Sequence, residues 1–464
     1  MTGLKPFFEA ESIAVIGASK KPGKAGNTIV KNLLNAGYRG KIYPVNPSLD
    51  QLLGLKVYRD VMDIPGRVDL AVIAIPYKGV VGVVEECAEK GVKGVIIISA
   101  GFSETGGEGE RFQERLSRIA WERGVRILGP NTSGVISTPN NIVITFFPFQ
   151  GIARGGVSYI AQTGNFATHT LRWILSTEHY GVARIVGLGN KCDVDEADAI
   201  EYLAGDPETK VIALYLEDVK DGRRFLEALK KASREKPVVV LKSGRTQAGL
   251  RAARTHTAAI STQDKIVDAA IRQGGGIRAQ GYMDLIDYPK AFALQPLPRG
   301  DRVGIITISG AMGVLASDAC EGLGLRVAEL GEEALARVKP LYPPWAKISN
   351  PLDIWPAAEI SGVTEVYKAG MEALLEEDGV NALIVYLMVT REFPLDIGFI
   401  PSLCKKYPGK PVLFSVSGDK NLCEEVRERL EKKGYPVYLP VEPPCRVLAT
   451  MYNYSRVKEK LLKG

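Results

Sequence analysis

The sequence predicts an α/β protein whose sheets are parallel and covered on both faces, and three patterns carry that expectation. Short, wholly apolar, β-branched runs recur along the chain, each ending in Gly, Pro or Asn. Amphipathic stretches such as NTIVKNLLNAG and VVGVVEECAEKG separate them. A strand, a short turn and a helix also recur as a phrase, once from Val157 and again from Val303. Strands that are apolar on both faces and alternate with helices belong in parallel sheets sandwiched between helical layers.

In chain order, SIAVIG, KIYPVNP, LAVIAIP, GVIIISAG and VRILGPN read as buried strands, so residues 1–145 form a Rossmann-like domain. The segment FFPFQGIARGG breaks the rhythm, and a second α/β domain is expected over 151–293. The proline-rich run LQPLPRGD (Leu294–Asp301) is a linker, and a third domain fills 300–464.

The second and third domains resemble each other. VSYIAQTGN (Val157–Asn165) matches VGIITISGA (Val303–Ala311), KPVVVLKSG (Lys236–Gly244) matches KPVLFSVSG (Lys410–Gly418), and ALYLEDV (Ala213–Val219) matches LIVYLMV (Leu383–Val389) with Tyr215 on Tyr386. Three matches in one order predict a duplicated flavodoxin-like fold. Residues shared by the copies read as scaffold, and residues present in one copy as candidates for chemistry. Glu217 stands where the third domain has Met388, and His256 has no counterpart there. Their joint absence from one copy suggests that they work together.

Length and composition agree with this organisation. At 464 residues the chain exceeds a single core, and its 45% hydrophobic and 24% charged residues are ordinary for globular domains. Six scattered cysteines form no CxxC or Cys/His cluster and read as reduced thiols. The opening MTGLKPFFEAES has no apolar signal region, and no apolar run approaches the ~20 residues of a membrane helix, so a cytoplasmic protein is expected. The net charge of +6 is spread among alternating acidic and basic residues, which favours small anionic ligands over nucleic acid.

Three places carry candidate chemistry. The turn GASKKPGKAGN (Gly17–Asn27) leaves a strand and opens a helix, where backbone N–H groups can cradle a phosphate. It matches neither GxGxxG nor a P-loop, and the next strand ends in Asn46-Pro47 with no acidic anchor for a nicotinamide cofactor's ribose. Lys20, Lys21 and Lys24 instead suit a ligand with additional phosphate. His256, in the small-residue loop RTHTAAI, is suited to nucleophilic group transfer, with Glu217 able to hold its tautomer; its setting also allows a structural or substrate-binding role. Gln162, Thr163, Gly164 and Asn165 open one helix, and Ser309, Gly310 and Ala311 open its counterpart. Both starts are capping turns, and both are candidate phosphate sites. His169 and His179 read as helix-surface or packing residues, and no histidine pair has metal-ligand spacing, so no metal site is expected on this chain.

The whole chain resembles the α subunits of ADP-forming acetyl-CoA synthetases, relatives of the succinyl-CoA synthetase α subunit. The resemblance rests on SIAVIGASKKPGKAGNTIVKNL, KIYPVNP, SAGFSE, LGPN, GLGNKCDVDEADAIEYL, YLEDVKDGRRF, the HTAAI loop and SNPLDIW. It implies the reversible conversion of acyl-CoA, ADP and phosphate to acid, CoA and ATP through an acyl phosphate and a phosphohistidine. His256 would be the phosphohistidine and Glu217 its stabiliser. The resemblance places Gly17, Ala18, Ser19, Lys20, Lys24 and Gly26 on the CoA phosphates and Val45, Asn46 and Pro47 near the adenosine. Ile75, Pro76, Ser99, Ala100, Gly101 and Phe102 would line the pantetheine path, with Asn131 near the thioester. It also implies a separate ATP-grasp β subunit holding ADP/ATP and Mg²⁺, in an α2β2 assembly. One departure is Thr132, where the family has Cys, and it leaves the acyl preference open. A non-catalytic acyl-CoA sensor on the same fold would be expected to lack His256 or Glu217. A Rossmann oxidoreductase would require GxGxxG, and a fused acetyltransferase an additional domain.

Overall fold

The computed structural model describes residues 3–251 and 263–463. The chain divides into two compact units, one comprising Met1–Thr177 with Gly181–Leu285 and the other Glu178–Tyr180 with Ile286–Gly464.

Among its described residues the first unit holds two large sheets and a small two-stranded antiparallel ribbon, Gln51–Leu52 with Leu55–Lys56. Strands β1 (Ser12–Ile16), β2 (Lys41–Val45), β3 (Leu70–Ile73), β4 (Gly94–Ile97) and β5 (Arg126–Leu128) form a parallel sheet in the order β2-β1-β3-β4-β5. Every residue of β1, β3, β4 and β5 is buried, which is why these segments are apolar without alternation. Because the strands are parallel, the turns after all five lie along one edge, the place where open α/β sheets take ligands.

The second sheet contains β6 (Val135–Ser137), β7 (Ile142–Ile144), β8 (Arg154–Ala161), β9 (Val182–Gly187), β10 (Val211–Leu216), β11 (Val238–Lys242) and β12 (Ile277–Arg278), ordered β12-β11-β10-β8-β9-β6-β7. The β6–β7 hairpin falls within residues 1–145 of the expected first domain, yet β6 pairs antiparallel with β9 from Ser137↔Arg184 to Val135↔Val186. The hairpin buries Val135, Ile142 and Ile144 in a core that includes Ile160 and Val186. The Thr138 hydroxyl donates to the Val182 carbonyl at 2.7 Å. Apolar burial and these strand contacts therefore set the sheet boundary before residue 135.

The second unit is built on β13 (Arg302–Thr307), β14 (Arg326–Val327), β15 (Leu352–Asp353), β16 (Ala382–Val389), β17 (Val412–Gly418) and β18 (Val437–Tyr438), ordered β14-β13-β16-β17-β18 with β15 also pairing with β13. This order repeats that of β9-β8-β10-β11-β12, the flavodoxin-like 2-1-3-4-5 arrangement. The registers match too: Tyr215 pairs with Leu241 and Leu216 with Lys242, while Tyr386 pairs with Ser415 and Leu387 with Val416. The duplication expected from sequence is thus a duplication of fold, strand by strand.

Two details of this unit have local causes. Asn350 fills the split between β14 and β15, accepting from the Ile305 N–H and donating to the Val303 and Ala328 carbonyls, each at 2.8 Å. The motif SNPLDIW therefore builds the sheet. The helix Asp284–Leu294, placed by sequence in the 151–293 domain, belongs from Ile286 onward to this unit. Its Lys290 is buried and bonded to Glu178 at 2.8 Å, Glu431 at 2.9 Å and the Val437 carbonyl at 2.6 Å. A buried ammonium requires such partners, and they fix the helix here.

Candidate active site

The turn after β1 is shaped to bring backbone close to a ligand. The Gly17 and Ala18 N–H groups bond the Val45 carbonyl at 3.1 and 3.2 Å, and the Asn46 amide donates to the Ala18 carbonyl at 2.7 Å. Gly17 has φ +91°, and a Cβ there would lie 2.4 Å from the Ala74 carbonyl oxygen; one on Gly26 would lie 2.1 Å from that of Gly17. Only glycine allows the strand end and helix start to approach this closely. The helix Ala25–Asn35 begins with no side-chain cap and no acidic residue in its first turn, while Lys20, Lys21 and Lys24 are exposed around it. Open N–H groups beside three cations suit an anion.

The turns after β3, β4 and β5 join this one along the same edge. Ser99 donates to the Ile75 carbonyl at 2.5 Å, and the Asn131 N–H to the Ser99 carbonyl at 3.0 Å. Pro76 and Ala100 are exposed, whereas Phe102 is buried with its ring edge-on to Tyr77. Val45 is buried and Pro47 exposed at the end of β2.

A chain of polar contacts leads from this edge into the second sheet. The Gly101 N–H donates to one oxygen of Glu104 at 2.6 Å, and the Asn190 amide to the other at 2.6 Å. Asn131 reaches the Asn190 side-chain oxygen at 3.4 Å. Next to Asn190, the buried Lys191 ammonium pairs with Asp218 at 2.6 Å and Glu196 at 3.0 Å. Burial alone would lower the Lys191 pKa, but the Glu196 and Asp218 carboxylates outweigh it and the net shift is upward. Lys191 therefore stays charged and pins Asp218.

Glu217 follows β10 and is 5% exposed. The Gln162 side-chain oxygen accepts from the backbone N–H of Glu217 at 2.8 Å and of Asp218 at 3.0 Å, and its amide nitrogen donates to the Asp218 carboxylate. The Tyr215 hydroxyl donates to Glu217 Oε1 at 3.4 Å. Gln162, expected to bind phosphate, has both ends of its amide engaged in holding residues 217 and 218. His256 lies outside the described residues.

The two helix starts differ. Gly164 opens Gly164–Thr177 against Ser133, with only 3.1 Å between the Ser133 Cβ and a Cβ built on the glycine. Asn165 lies in that helix, and its side chain is outside the described residues; Thr163 precedes it, partly buried. In the other unit, Ser309 stands at the N-cap position of Gly310–Gly322 without a side-chain cap bond, its N–H on the Thr307 hydroxyl at 3.1 Å. Gly310 and Ala311 are exposed, but the Asp353 carboxylate would lie 3.2 Å from a Cβ on Gly310. A resident negative charge disfavours a second anion at that helix start. His169 is exposed on its helix, and His179 bonds Glu424 at 3.1 Å as a packing residue.

Sequence reading missed Glu104, Asn190, Lys191 and Asp218. The signal was present for Asp218, which the duplication sets against Val389, and for Gln162, set against Ile308. Thr132 also has a structural explanation. Its buried hydroxyl donates to the Gly187 carbonyl at 2.5 Å and accepts from the Gly134 N–H at 3.0 Å. Thr132→Val should cost about 1–3 kcal/mol of stability, measured by urea unfolding.

This geometry has close counterparts among known proteins. A CoA binding domain model matches residues 11–138, a succinyl-CoA ligase like flavodoxin domain 154–292, and a ligase-CoA domain 303–462. The chain is 40% identical over 452 residues to the α subunit of ADP-forming acetate–CoA ligase II from Pyrococcus furiosus, covering 96% of each. The chain belongs to the ADP-forming acetate–CoA ligase family. Another family member, ADP-forming acetate–CoA ligase II from Archaeoglobus fulgidus, is 42% identical over 98% of this chain, which spans 67% of that longer protein. The solved structure of dinucleotide-forming acetyl-coenzyme A synthetase 1 from Ca. Korarchaeum cryptofilum, in complex with phosphate and ADP, matches with a TM-score of 0.92 at 34% identity. That match covers 100% of this chain and 99% of the other. Among the described residues, no helix is long and apolar enough to cross a membrane.

Proposed function

We propose that this chain is the α subunit of an ADP-forming acyl-CoA synthetase acting on acetyl-CoA, with His256 as the phosphoryl carrier and Glu217 as its orienting base. The observation that carries this reading is a pair of polar contact sets at adjacent residues: the Ser99–Phe102 turn to Glu104 and Asn190, and Lys191, the next residue, to Asp218 beside Glu217, with the Lys220 ammonium on the carbonyls of both Asn190 and Lys191. It joins an edge suited to CoA to a carboxylate suited to holding an imidazole.

In this reading the Gly17–Gly26 turn and its lysines hold the CoA phosphates, and Val45, Asn46 and Pro47 lie by the adenosine. Ile75, Pro76 and the Ser99–Phe102 turn guide the pantetheine, and Asn131 sits near the thioester. A phosphate oxygen attacks the thioester carbonyl, the C–S bond breaks, and CoA leaves as its thiol on taking a proton. The His256 imidazole then attacks the phosphorus of the acyl phosphate and the carboxylate departs. Glu217 accepts the other ring N–H, which fixes the tautomer and offsets the charge on the phosphorylated ring. The Thr163–Asn165 helix start faces the phosphoryl group with its N–H groups. ADP, with Mg²⁺, receives that group on an ATP-grasp β subunit of an α2β2 assembly in the cytoplasm. The sheet β1–β5 serves CoA binding, the sheet β6–β12 carries the phosphohistidine step, and the unit from Ile286 onward is the second ligase domain.

The test incubates the purified chain with acetyl-CoA and phosphate and follows intact mass and acid lability, beside His256→Ala. An acid-labile phosphoryl adduct in the wild type and none in the variant is the expected result. Absence of an adduct across an acyl-CoA panel, repeated with the β chain and Mg²⁺-ADP, would favour a non-catalytic acyl-CoA sensor.

A further inference from the structure

The loop after β9 lies against the turn after β5 through its backbone. The Asn190 N–H donates to the Pro130 carbonyl at 2.9 Å, and the Cys192 N–H to that of Gly129 at 3.0 Å. Gly189, with φ +61°, permits the approach, since a Cβ there would lie 2.2 Å from the Pro130 carbonyl oxygen. These contacts already close the seam. The side chains of Asn131 and Asn190 also meet across it, at 3.4 Å, and are not needed to hold it shut.

The donors and acceptors of this cluster are fixed from the outside inward. A backbone N–H can only donate. The Gly101 N–H, 2.6 Å from Glu104 Oε1, therefore makes the Glu104 carboxyl an acceptor, and the Ser103 N–H, 3.3 Å from Gln113, turns the oxygen of that amide towards the cluster. Asn190 lies 2.6 Å from the other Glu104 oxygen and 3.0 Å from the same Gln113 oxygen. Its NH₂ group faces both acceptors and spends both hydrogens on them. The Asn190 oxygen is then left facing Asn131, which requires the NH₂ end of Asn131 on that side.

Asn131 is held in place as well as in orientation. Its backbone is left-handed, with φ +58°, and its N–H donates to the Ser99 carbonyl at 3.0 Å, within the turns along the CoA edge. One hydrogen of its NH₂ group is directed at Asn190, and the other has no partner among the described residues. The edge therefore presents an oriented N–H donor beside the Ser99–Phe102 turn.

We propose that Asn131 donates this second N–H to the carbonyl oxygen of the acyl thioester, and that Asn190, seated on Glu104 and Gln113, is the positioning residue that turns the carboxamide that way. The proposal rests on the reading above, which puts Asn131 near the thioester. When a phosphate oxygen adds to the thioester carbon, the carbonyl π pair moves onto the oxygen. When the adduct collapses, that pair re-forms the C=O bond and the C–S bond breaks. The sulfur leaves with the C–S electron pair and takes up the proton that the phosphate loses. Asn131 keeps its own proton throughout. Its hydrogen bond strengthens only while the oxygen carries charge, which is the condition for lowering the barrier.

The test follows phosphohistidine formation from acetyl-CoA and phosphate at saturating substrate, with CoA affinity measured by calorimetry, for wild type, Asn131→Gly, Asn190→Ala and the double variant. Glycine adopts a left-handed backbone without strain, so Asn131→Gly removes the side chain and keeps the turn. Asn131→Asp, which keeps the shape and has no N–H, is the second variant should glycine fail to fold. The expected slowing is about 10²–10³-fold for Asn131→Gly, the range for loss of one such donor. For Asn190→Ala it is about 10- to 10²-fold, the effect of a misplaced group. The double variant should be no slower than Asn131→Gly, because Asn190 acts through Asn131. The dissociation constant for CoA should stay within a few-fold of wild type in all three. Losses that multiply in the double variant would show Asn190 acting on the structure alone and would overturn its positioning role. An Asn131→Gly rate within a few-fold of wild type, or a loss confined to CoA affinity, would overturn the proposal as a whole. In each of those outcomes the wild-type adduct leaves the phosphohistidine reading standing, whereas no wild-type adduct with any acyl-CoA would remove both.

Discussion

Glu217→Gln is expected to lower the rate of phosphohistidine formation by about 10²–10⁴-fold, the range for a group that fixes a reacting imidazole. The amide keeps the shape of the carboxylate, so the Gln162 contacts to the backbone of residues 217 and 218 should survive. In the proposed role, what is lost is the negative charge that would accept the ring N–H and balance the phosphorylated ring. Because the charge acts after CoA has bound, the dissociation constant for CoA should change little. A pre-steady-state measurement of the adduct, with CoA binding by calorimetry, separates the two. A rate within a few-fold of wild type would remove Glu217 from the proposed role, and a large loss of CoA affinity would place it in the binding step instead.

The same residue shows how far the sequence could be read. Glu217 stands out in the sequence because the chain contains a second copy of its own scaffold, in which the corresponding position is Met388. Parallel strands were legible because burial on both faces leaves unbroken apolar runs, as in β1 and β3. The β6–β7 hairpin was not, since three-residue strands carry too little pattern to indicate which sheet they join; only the β9 register decides it. The contacts of Gln162 with residues 217 and 218 were not legible, because a helix-opening amide looks the same in sequence whether it faces a ligand or a neighbouring strand end. At the Gly310 start, the approach of Asp353 from another strand, 43 positions along the chain, leaves no trace in local spacing. Polar networks between distant loops, such as Glu104 with Asn190, are invisible to local reading for the same reason.

The second unit should be sensitive to loss of one cation. Lys290 lies between Glu178 and Glu431, with Arg427 on the other oxygen of Glu178 at 2.6 Å and the Tyr438 ring 4.5 Å from the ammonium. All three charged partners are largely or wholly buried, so Lys290→Met leaves two carboxylates to one arginine away from water. The expected cost is about 3–5 kcal/mol, because breaking a buried pair strands the remaining charge. Glu178→Gln with Lys290→Met removes one charge of each sign and leaves Arg427 for Glu431, so the double variant should lose less than the sum of the singles by at least about 1 kcal/mol. The pH dependence has a fixed sign. Burial by itself would raise the Glu178 pKa, but Lys290 and then Arg427 hold it down at about 2, below its ordinary value of 4.5. A folded-state pKa below the unfolded one gives stability that is complete above about pH 4.5 and lost as the pH falls through about 2. Urea unfolding combined with hydrogen exchange would locate the loss. Fast exchange should appear in the helix Asp284–Leu294 and around Val437–Tyr438, and not in the Gly17 turn, whose contacts lie within the first unit. Additive single-variant effects would mean that the pair is not coupled and that Arg427 alone supports Glu178.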